Sequence, residues 1–442
     1  MPNSTLRLAV EYLPINALRP WPTNARKHSK KQIHQIARSI AEFGFTNPVL
    51  IGSDLVLIAG HGRVEAAKSL GMQTVPTIRL DHLTPQQRRA LIIADNRLAE
   101  NAGWDPEILK IEFQHLSVDD IEFDLEITGF ESAEIDLLLD NPQKASPIDP
   151  ADVVPPFERI TVSRTGDLWY LGGHRIICGD ARDEQTYSTL FEVEKARMMF
   201  ADPPYNVPIQ GHASGLGSIK HREFVMAAGE MTSADFADFL NLVFTNATTY
   251  SLDGALHYIC MDWRHLPEIL NATQSLYSET KNLCVWNKTN GAMGSFYRSK
   301  HEMIYVLKVG TAPHINNIDL GRSGRYRTNV WDYAGVNTFG KHRMDTLAMH
   351  PTVKPVVLVA DAIKDCSRRK DIVFDPFVGS GTTIIAAEKT GRIARGVEID
   401  PGYVDVAIRR WQTISGGTAT LAVTGHSFAE LSQERMEEAA SV

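Results

Sequence analysis

Asp202, Pro203, Pro204 and Tyr205 stand together in RMMFADPPYNVP at 197–208, and their types point to a binding chemistry. Two consecutive prolines fix the backbone and remove two amide donors, leaving carbonyls free to accept. Asp202 adds a carboxylate acceptor and Tyr205 an aromatic face. Acceptors beside a stacking ring are what holding an amino group on a planar heterocycle requires. A proline-stiffened turn with a capping Asp is the alternative. A second constellation, Asp375, Pro376, Gly379, Ser380 and Gly381, forms a tight loop. Glycines there let the backbone approach a ligand and adopt positive φ. Glu398 follows Gly381 by 17 residues, where a carboxylate can accept from both hydroxyls of a ribose. No third glycine completes GxGxxG and no GxxxxGK[ST] loop is present. A dehydrogenase or P-loop enzyme is therefore disfavoured, and a nucleoside ligand without a pyrophosphate fits better.

Both constellations need strands to position them. Met198–Ala201 reads as a strand that delivers Asp202 at its end. Ile372–Phe374 reads as a buried strand, Thr382 onward as a helix of small residues, and Ile393–Ile399 as the next strand. That βαβ unit puts its loop at the carboxyl edge of a parallel sheet. Nearer the amino terminus, a helix Lys30–Phe43 closed by Gly44 precedes strands Pro48–Ile51 and Leu55–Ala59. The loop Gly60-His61-Gly62-Arg63 then opens a helix Val64–Leu70. Glycines beside an Arg at a helix start make a phosphate nest, with a plain tight turn as the alternative. NPQKASPIDPADVVPPF at 141–157 holds five prolines and reads as an extended linker. It separates a unit at 8–140 from one at 158–420, and within a tail over 421–442 the acidic stretch Ser427–Val442 is expected to fray.

The chain has 442 residues, 43% apolar and 22% charged, the balance of a globular protein with a sizeable core. Its net charge of -8 excludes a wholly basic nucleic-acid coat, so any polyanion site is a local patch. Residues 281–343 supply one: 10 bases against 3 acids, interleaved with Trp286, Phe296, Tyr297, Tyr305, Tyr326, Trp331 and Tyr333. Cations neutralise phosphates while aromatic faces stack bases. No apolar run approaches the length of a membrane span and Met1 to Glu11 lacks a signal core, so a cytoplasmic chain off the membrane is expected. Cys178, Cys260, Cys284 and Cys366 form no CxxC pair, and neither structural zinc nor a disulfide framework is expected.

With these motifs in view, 159–415 resembles the S-adenosylmethionine-dependent amino-methyltransferases of DNA, in the group where DPPY precedes the cofactor loop. DPPY at 202–205 matches the catalytic motif and DPFVGSGTT at 375–383 the cofactor loop. GDARD at 179–183 and HPTVKP at 350–355 stand just ahead of each, and VWNKTNGAMGSFYRSKHEMIYVLK at 285–308 matches the stretch that flanks the flipped base. The resemblance implies an α/β fold: a Rossmann-like, doubly wound, mostly parallel sheet with permuted motif order. It implies S-adenosylmethionine as cofactor, double-stranded DNA as partner, and no metal. Asp202 and the Pro203 carbonyl would accept from the amino group of a flipped base, with Pro204 stiffening the turn and Tyr205 stacking. Asp375, Phe377, Gly379, Ser380, Gly381 and Thr382 would form the cofactor loop and Glu398 would hold the ribose. Asp180 would accept from the cofactor's adenine, and Thr352 and Lys354 would close over its methionine portion.

Trp286 and Lys288 would flank the flipped base. Within a recognition region at about 310–343, Arg322, Arg325, Arg327, Lys341 and Arg343 would contact phosphates or guanine edges. Asp rather than Ser in DPPY resembles the adenine-N6 enzymes more than the cytosine-N4 ones. Residues 8–100 resemble the amino-terminal domain of ParB-type partition proteins, a smaller ParB/sulfiredoxin-like α+β unit, through NARKH at 24–28, GFTNPVLI at 44–51 and GHGR at 60–63. The family's Gly-Glu-Arg-Arg signature is altered at His61 and Gly62. Phosphate, nucleotide or DNA-backbone contact by Arg26, Lys27, Gly60, His61, Gly62 and Arg63 is expected, without catalysis. An adenine-specific methyltransferase, as in restriction-modification, leads. Cytosine-N4 transfer, an RNA or protein target, or a ParB-like DNA-binding protein with an inactive methyltransferase half are the alternatives, and a homodimer and the partner nucleotide stay open.

Overall fold

A computed structural model describes residues 8–118, 124–140, 149–158, 160–206, 227, 229–289, 291, 296–318, 325–335 and 353–440. The chain divides into two compact units, Met1–Asp140 and Asn141–Val442. No described helix is long and apolar enough to cross a membrane.

The first unit carries a four-stranded sheet of β1 (Val10–Pro14), β2 (Val49–Ile51), β3 (Leu57–Ala59) and β4 (Thr74–Arg79), in the order β1-β4-β2-β3. The helix Lys30–Phe43 begins where the Ser29 side chain accepts from Gln32 N–H, and stops at Gly44 with φ +78. The helix after β3 starts at His61, not Val64, because Gly60 takes the left-handed conformation and caps it. His61, Gly62 and Arg63 therefore form its first turn. Phe113, Leu125 and Ile135 build a small separate core from the helices Pro106–Val118 and Ser132–Leu139 and the turn between them.

The second unit is built on one mixed sheet. Its described strands are β5 (Leu168–Leu171), β6 (His174–Cys178), β7 (Ala196–Ala201), β8 (Ser251–Met261), β9 (Glu279–Asn287), β10 (His301–Lys308), β11 (Val330–Asp332), β12 (Ile372–Asp375), β13 (Ile393–Glu398) and β14 (Ala419–Leu421). They lie in the order β11-β9-β10-β8-β7-β12-β13-β6-β5-β14. The run β8-β7-β12-β13-β6 is parallel throughout. Helices cover both faces, so the central strands are apolar on successive residues instead of alternating. Met198 and Phe200 face one core layer while Met199 and Ala201 face the other. Chain order 6, 7, 12, 13 becomes spatial order 7-12-13-6, and four chemically loaded loops thereby share one sheet edge.

Two expectations from sequence change. Residues 149–157 are not a free linker, although 141–148 lie outside the described residues. The Ala151 carbonyl accepts from the Arg410 guanidinium at 2.8 Å, Asp152 accepts Val356 N–H at 2.9 Å, and Phe157 packs edge-on to Tyr403. The physical reason is the buried Arg410, which also donates to the carbonyl and hydroxyl of Ser380 and must be supplied with acceptors. Nor does the acidic stretch from Ser427 fray over its described residues, which end at 440. β14 pairs with β5, and the helix Phe428–Ala440 buries Phe428 against Trp169 with ring centroids 5.4 Å apart. Two apolar side chains, Phe428 and Leu431, suffice to dock a helix whose other positions are mostly polar. Phe428→Ala should lower unfolding stability by about 3 kcal/mol, read as a fall in the denaturation midpoint, whereas a frayed tail would leave the midpoint unmoved.

Candidate active site

The loops after β6, β7, β12 and β13 enclose one cavity. Its described lining holds the carboxylates of Asp180, Asp202, Asp375, Glu398 and Asp400, with Lys354 as the cationic side chain among them. Such a lining suits a ligand that carries positive charge and several hydrogen-bond donors. Asp375 ends β12, where its Oδ1 accepts Phe377 N–H at 2.9 Å and its Oδ2 the Thr383 hydroxyl at 2.6 Å. Glu398 ends β13 and accepts the amides of Gly379 and Asp400, each at 2.8 Å. These partners are neutral, so burial dominates and pushes both carboxyls up to about 7. Asp180 differs: Arg182 grips it with two guanidinium nitrogens at 2.7–3.1 Å, and that grip more than offsets burial and holds its carboxyl below the ordinary range.

The glycines of the loop divide their work. Gly379 has φ +52 and open space where a Cβ would stand, on the cavity lining. Gly381 does not line the cavity. A Cβ there would lie 2.9 Å from Ala407 Cβ and 3.1 Å from its Cα, and its φ of +88 caps the helix Thr382–Thr390. Gly381 thus allows that helix to approach the helix Pro401–Ser415, and its expected place against the ligand is corrected. Phe377, Ser380 and Thr382 do line the cavity. Thr352 lies outside the described residues.

Asp202, Pro203, Pro204 and Tyr205 form the opposite wall. Lys354 lines the same cavity, with its ammonium between two acids. Its ammonium lies 2.6 Å from Asp202 Oδ2 and 2.7 Å from Glu302 Oε1. The Tyr205 hydroxyl is 2.7 Å from both Asp202 Oδ1 and Glu302 Oε1, and Lys288 holds Glu302 Oε2 at 2.8 Å. Burial works against both acids. Two ammonium groups nevertheless pull Glu302 down to about 2, while Asp202 stays above the ordinary carboxylate range despite Lys354. The Lys354 ammonium is raised by its two carboxylates in spite of burial. Oxygen atoms of Asp202 and Glu302 and the Cys260 sulfur lie within 4.8 Å of one another, a grouping able to hold a cation, and the ammonium of Lys354 already bridges its two acids. Glu302 escaped the reading of the sequence. Its one signal is an acid as the second residue of HEMIYVLK, a strand otherwise buried almost throughout.

The predicted nucleic-acid face is only partly outward. Trp286 is buried, with its indole N–H donating to the Tyr333 carbonyl at 2.9 Å and the Lys288 ammonium 4.5 Å from its ring centroid. Arg325 and Arg327 are corrected: both turn inward, to Asp365 at 2.7 and 3.1 Å, and Arg327 also covers the Trp331 ring. Among the described aromatic residues of 281–343, Phe296, Tyr297 and Tyr326 are at least 80% exposed. Arg322, Lys341 and Arg343 lie outside the described residues. In the first unit, His61 Nε2 accepts Trp21 N–H at 3.2 Å, and burial, with His28 nearby, lowers its pKa. Arg63 donates to the Asn47 carbonyl at 2.9 Å, and Arg26 pairs with Glu100. Lys27 is exposed. Gly62 is a packing position, where a Cβ would stand 3.1 Å from the His28 ring.

Three protein families match this chain in sequence. A DNA methylase family covers residues 196–409, a ParB N-terminal domain 3–96, and a ParB-methyltransferase HTH domain 107–165. The ParB-like nuclease domain-containing protein YnaK of Escherichia coli K12 is 48% identical over 83 residues, covering 19% of this chain and 95% of that protein. The type II methyltransferase M2.MboI of Moraxella bovis is 28% identical over 240 residues, 51% of this chain and 84% of its own. The DNA adenine methyltransferase YhdJ of Escherichia coli K12 is 27% identical over 265 residues, 54% of this chain and 83% of its own.

Gly381→Val should act on stability. Strain at a left-handed position and the clash with Ala407 together should cost about 3 kcal/mol, read by thermal unfolding, and an unchanged midpoint would contradict the packing role.

Proposed function

Because the chain belongs to the DNA methylase family over 196–409 and to the ParB N-terminal domain family over 3–96, we propose that it methylates the exocyclic N6 amino group of adenine in double-stranded DNA, with S-adenosylmethionine as methyl donor. One observation carries the reading: a single cavity joins the DPPY wall to Asp375 and Glu398. A donor site and an acceptor-base site are then contiguous, as direct transfer requires. When bound, S-adenosylmethionine supplies an electrophilic methyl group next to a positive sulfur. Glu398 accepts from ribose hydroxyls, Asp375 and the open backbone at Gly379 receive the methionine end, and Asp180 lies within reach of an adenine. Asp202 and the Pro203 carbonyl accept from the amino group of a base turned out of the duplex, and the Tyr205 ring offers it a face. Hydrogen bonds from that amino group to two acceptors keep its lone pair on nitrogen for attack. Asp in the first position of DPPY, and the name carried by YhdJ, support adenine over cytosine. In the first unit, Lys27 and the Gly60–Arg63 turn are read as contacts to backbone phosphate, accessory to the reaction.

The test is incubation with labelled S-adenosylmethionine and unmodified duplex DNA, then digestion to nucleosides. Label is expected in N6-methyldeoxyadenosine; label in N4-methyldeoxycytidine would reverse the base, and unlabelled DNA would overturn the reading. Asp202→Ala should slow transfer by about 10²–10³-fold while cofactor affinity holds within a few-fold, because Glu302 still pairs Lys354. A lost cofactor site would move Asp202 out of the base pocket. Asp375 and Glu398, both near 7, also set a pH dependence. Their raised values mean that the folded chain holds protons the unfolded chain releases, so these groups cost stability as pH rises from about 4 through 7. A cationic, donor-rich ligand favours the ionised forms and relieves that cost. S-adenosylmethionine should therefore bind several-fold more tightly at pH 7.5 than at about pH 5.5, by calorimetry, and a flat profile would place it away from this pair.

A further inference from the structure

Both oxygens of Asp202 are already engaged: Oδ2 by the Lys354 ammonium and Oδ1 by the Tyr205 hydroxyl. A base amino group that is to be held by Asp202 meets a carboxylate already carrying these two donors and competes with them for its charge. In a buried site a displaced ammonium or hydroxyl needs another partner, since an unpaired buried charge is strongly unfavourable. Glu302 is built to be that partner. Its Oε1 lies 2.7 Å from Lys354 Nζ and 2.7 Å from the Tyr205 hydroxyl, so each group touches both acids at once. A phenol has one proton and can donate it to only one carboxylate at a time. The hydroxyl is thus a two-position donor that can swing without moving its ring.

We propose that Glu302 is a positioning residue that receives the Lys354 ammonium and the Tyr205 hydroxyl as Asp202 releases them to take the amino group of the target base. This rests on the base-accepting role given to Asp202 above. Lys288, on Glu302 Oε2, keeps the carboxylate turned so that Oε1 faces the exchange. Asp202 and Glu302 against Lys354 and Lys288 make two negative and two positive groups, so a neutral base enters without a net charge being left behind. The depressed Glu302 carboxyl and the raised Asp202 carboxyl agree with this direction, since the ammonium follows the acid that holds its charge more firmly.

Glu302→Gln keeps the volume and an acceptor oxygen but loses the charge that draws Lys354 away. On duplex DNA it should lower kcat about 50-fold, with the KM for DNA within three-fold and S-adenosylmethionine affinity within two-fold of the unaltered chain. The discriminating comparison is the double variant with Lys354→Gln. Once the ammonium is gone Glu302 has little left to receive, so the double should be no more than two-fold slower than Lys354→Gln alone. Losses that multiply, or a parental kcat in Glu302→Gln, would overturn the inference. If Glu302→Gln fails to fold, Lys288→Met at the solvent side replaces it. It should lower kcat about five-fold with cofactor affinity intact, and parental turnover would again overturn the inference. The unaltered chain is run beside every variant: no transfer by it fails the proposed reaction, whereas normal transfer by it and by Glu302→Gln fails only the role of Glu302.

Discussion

A buried charge needs an opposite charge beside it, and Lys354 meets that need for two acids at once. Its ammonium joins the end of β7, the start of β10 and the segment that leads into the helix Val356–Cys366. These three parts are far apart in sequence, at 202, 302 and 354. Removing the ammonium would leave two carboxylates facing each other in a poorly solvated wall. The ion group therefore fixes where β10 stands against the DPPY turn, and through Lys288 it reaches the first residue beyond β9.

The rest of the cavity depends on a second rule, that adjacent parallel strands end together. β7 pairs with β12 through Met198–Val373 and Met199–Phe374, and β12 with β13 up to Asp375–Gly396. Asp202, Asp375 and Glu398 are thereby brought to one edge although 196 residues separate the first from the last. Close helix packing keeps the edge in shape. Gly381 admits Ala407, and Arg410 ties the Ser380 turn to Ala151. Burial pushes that guanidinium down to about 10, an indication of how dry the joint is. The proline-rich stretch is part of this joint, so a segment without apolar periodicity still contributes to the fold, through its backbone carbonyls.

Much of this was legible from local pattern. The strand expected over Ile372–Phe374 runs to Asp375, the helix begins at Thr382 as expected, and the next strand ends one residue short of the expected Ile399. Apolar runs bounded by glycine leave few alternatives. Arg325 and Arg327 show where that reading stops. They stand in a basic, aromatic stretch that resembles a nucleic-acid face, yet both turn to Asp365. Asp361 and Asp365, four residues apart on one helix, present their carboxylates on one side. That spacing was the available hint, but nothing local said which arginines it would meet. The docked helix Phe428–Ala440 escaped for a related reason, since two apolar residues make too weak a period to separate a helix from a solvated tail.

By itself, then, the sequence determined which residue types would carry the chemistry, in what order, and on which kinds of turn. Those properties live in a few neighbouring residues, where proline, glycine and carboxylate leave the backbone little choice. Only the tertiary structure decided who stands opposite whom: Glu302 beside Asp202, Gly381 against Ala407 instead of the cavity, Arg325 and Arg327 facing inward. Partnership across a sheet edge depends on strand order and on the need to pair every buried charge. Both are properties of the assembled core, and no stretch of chain carries them alone.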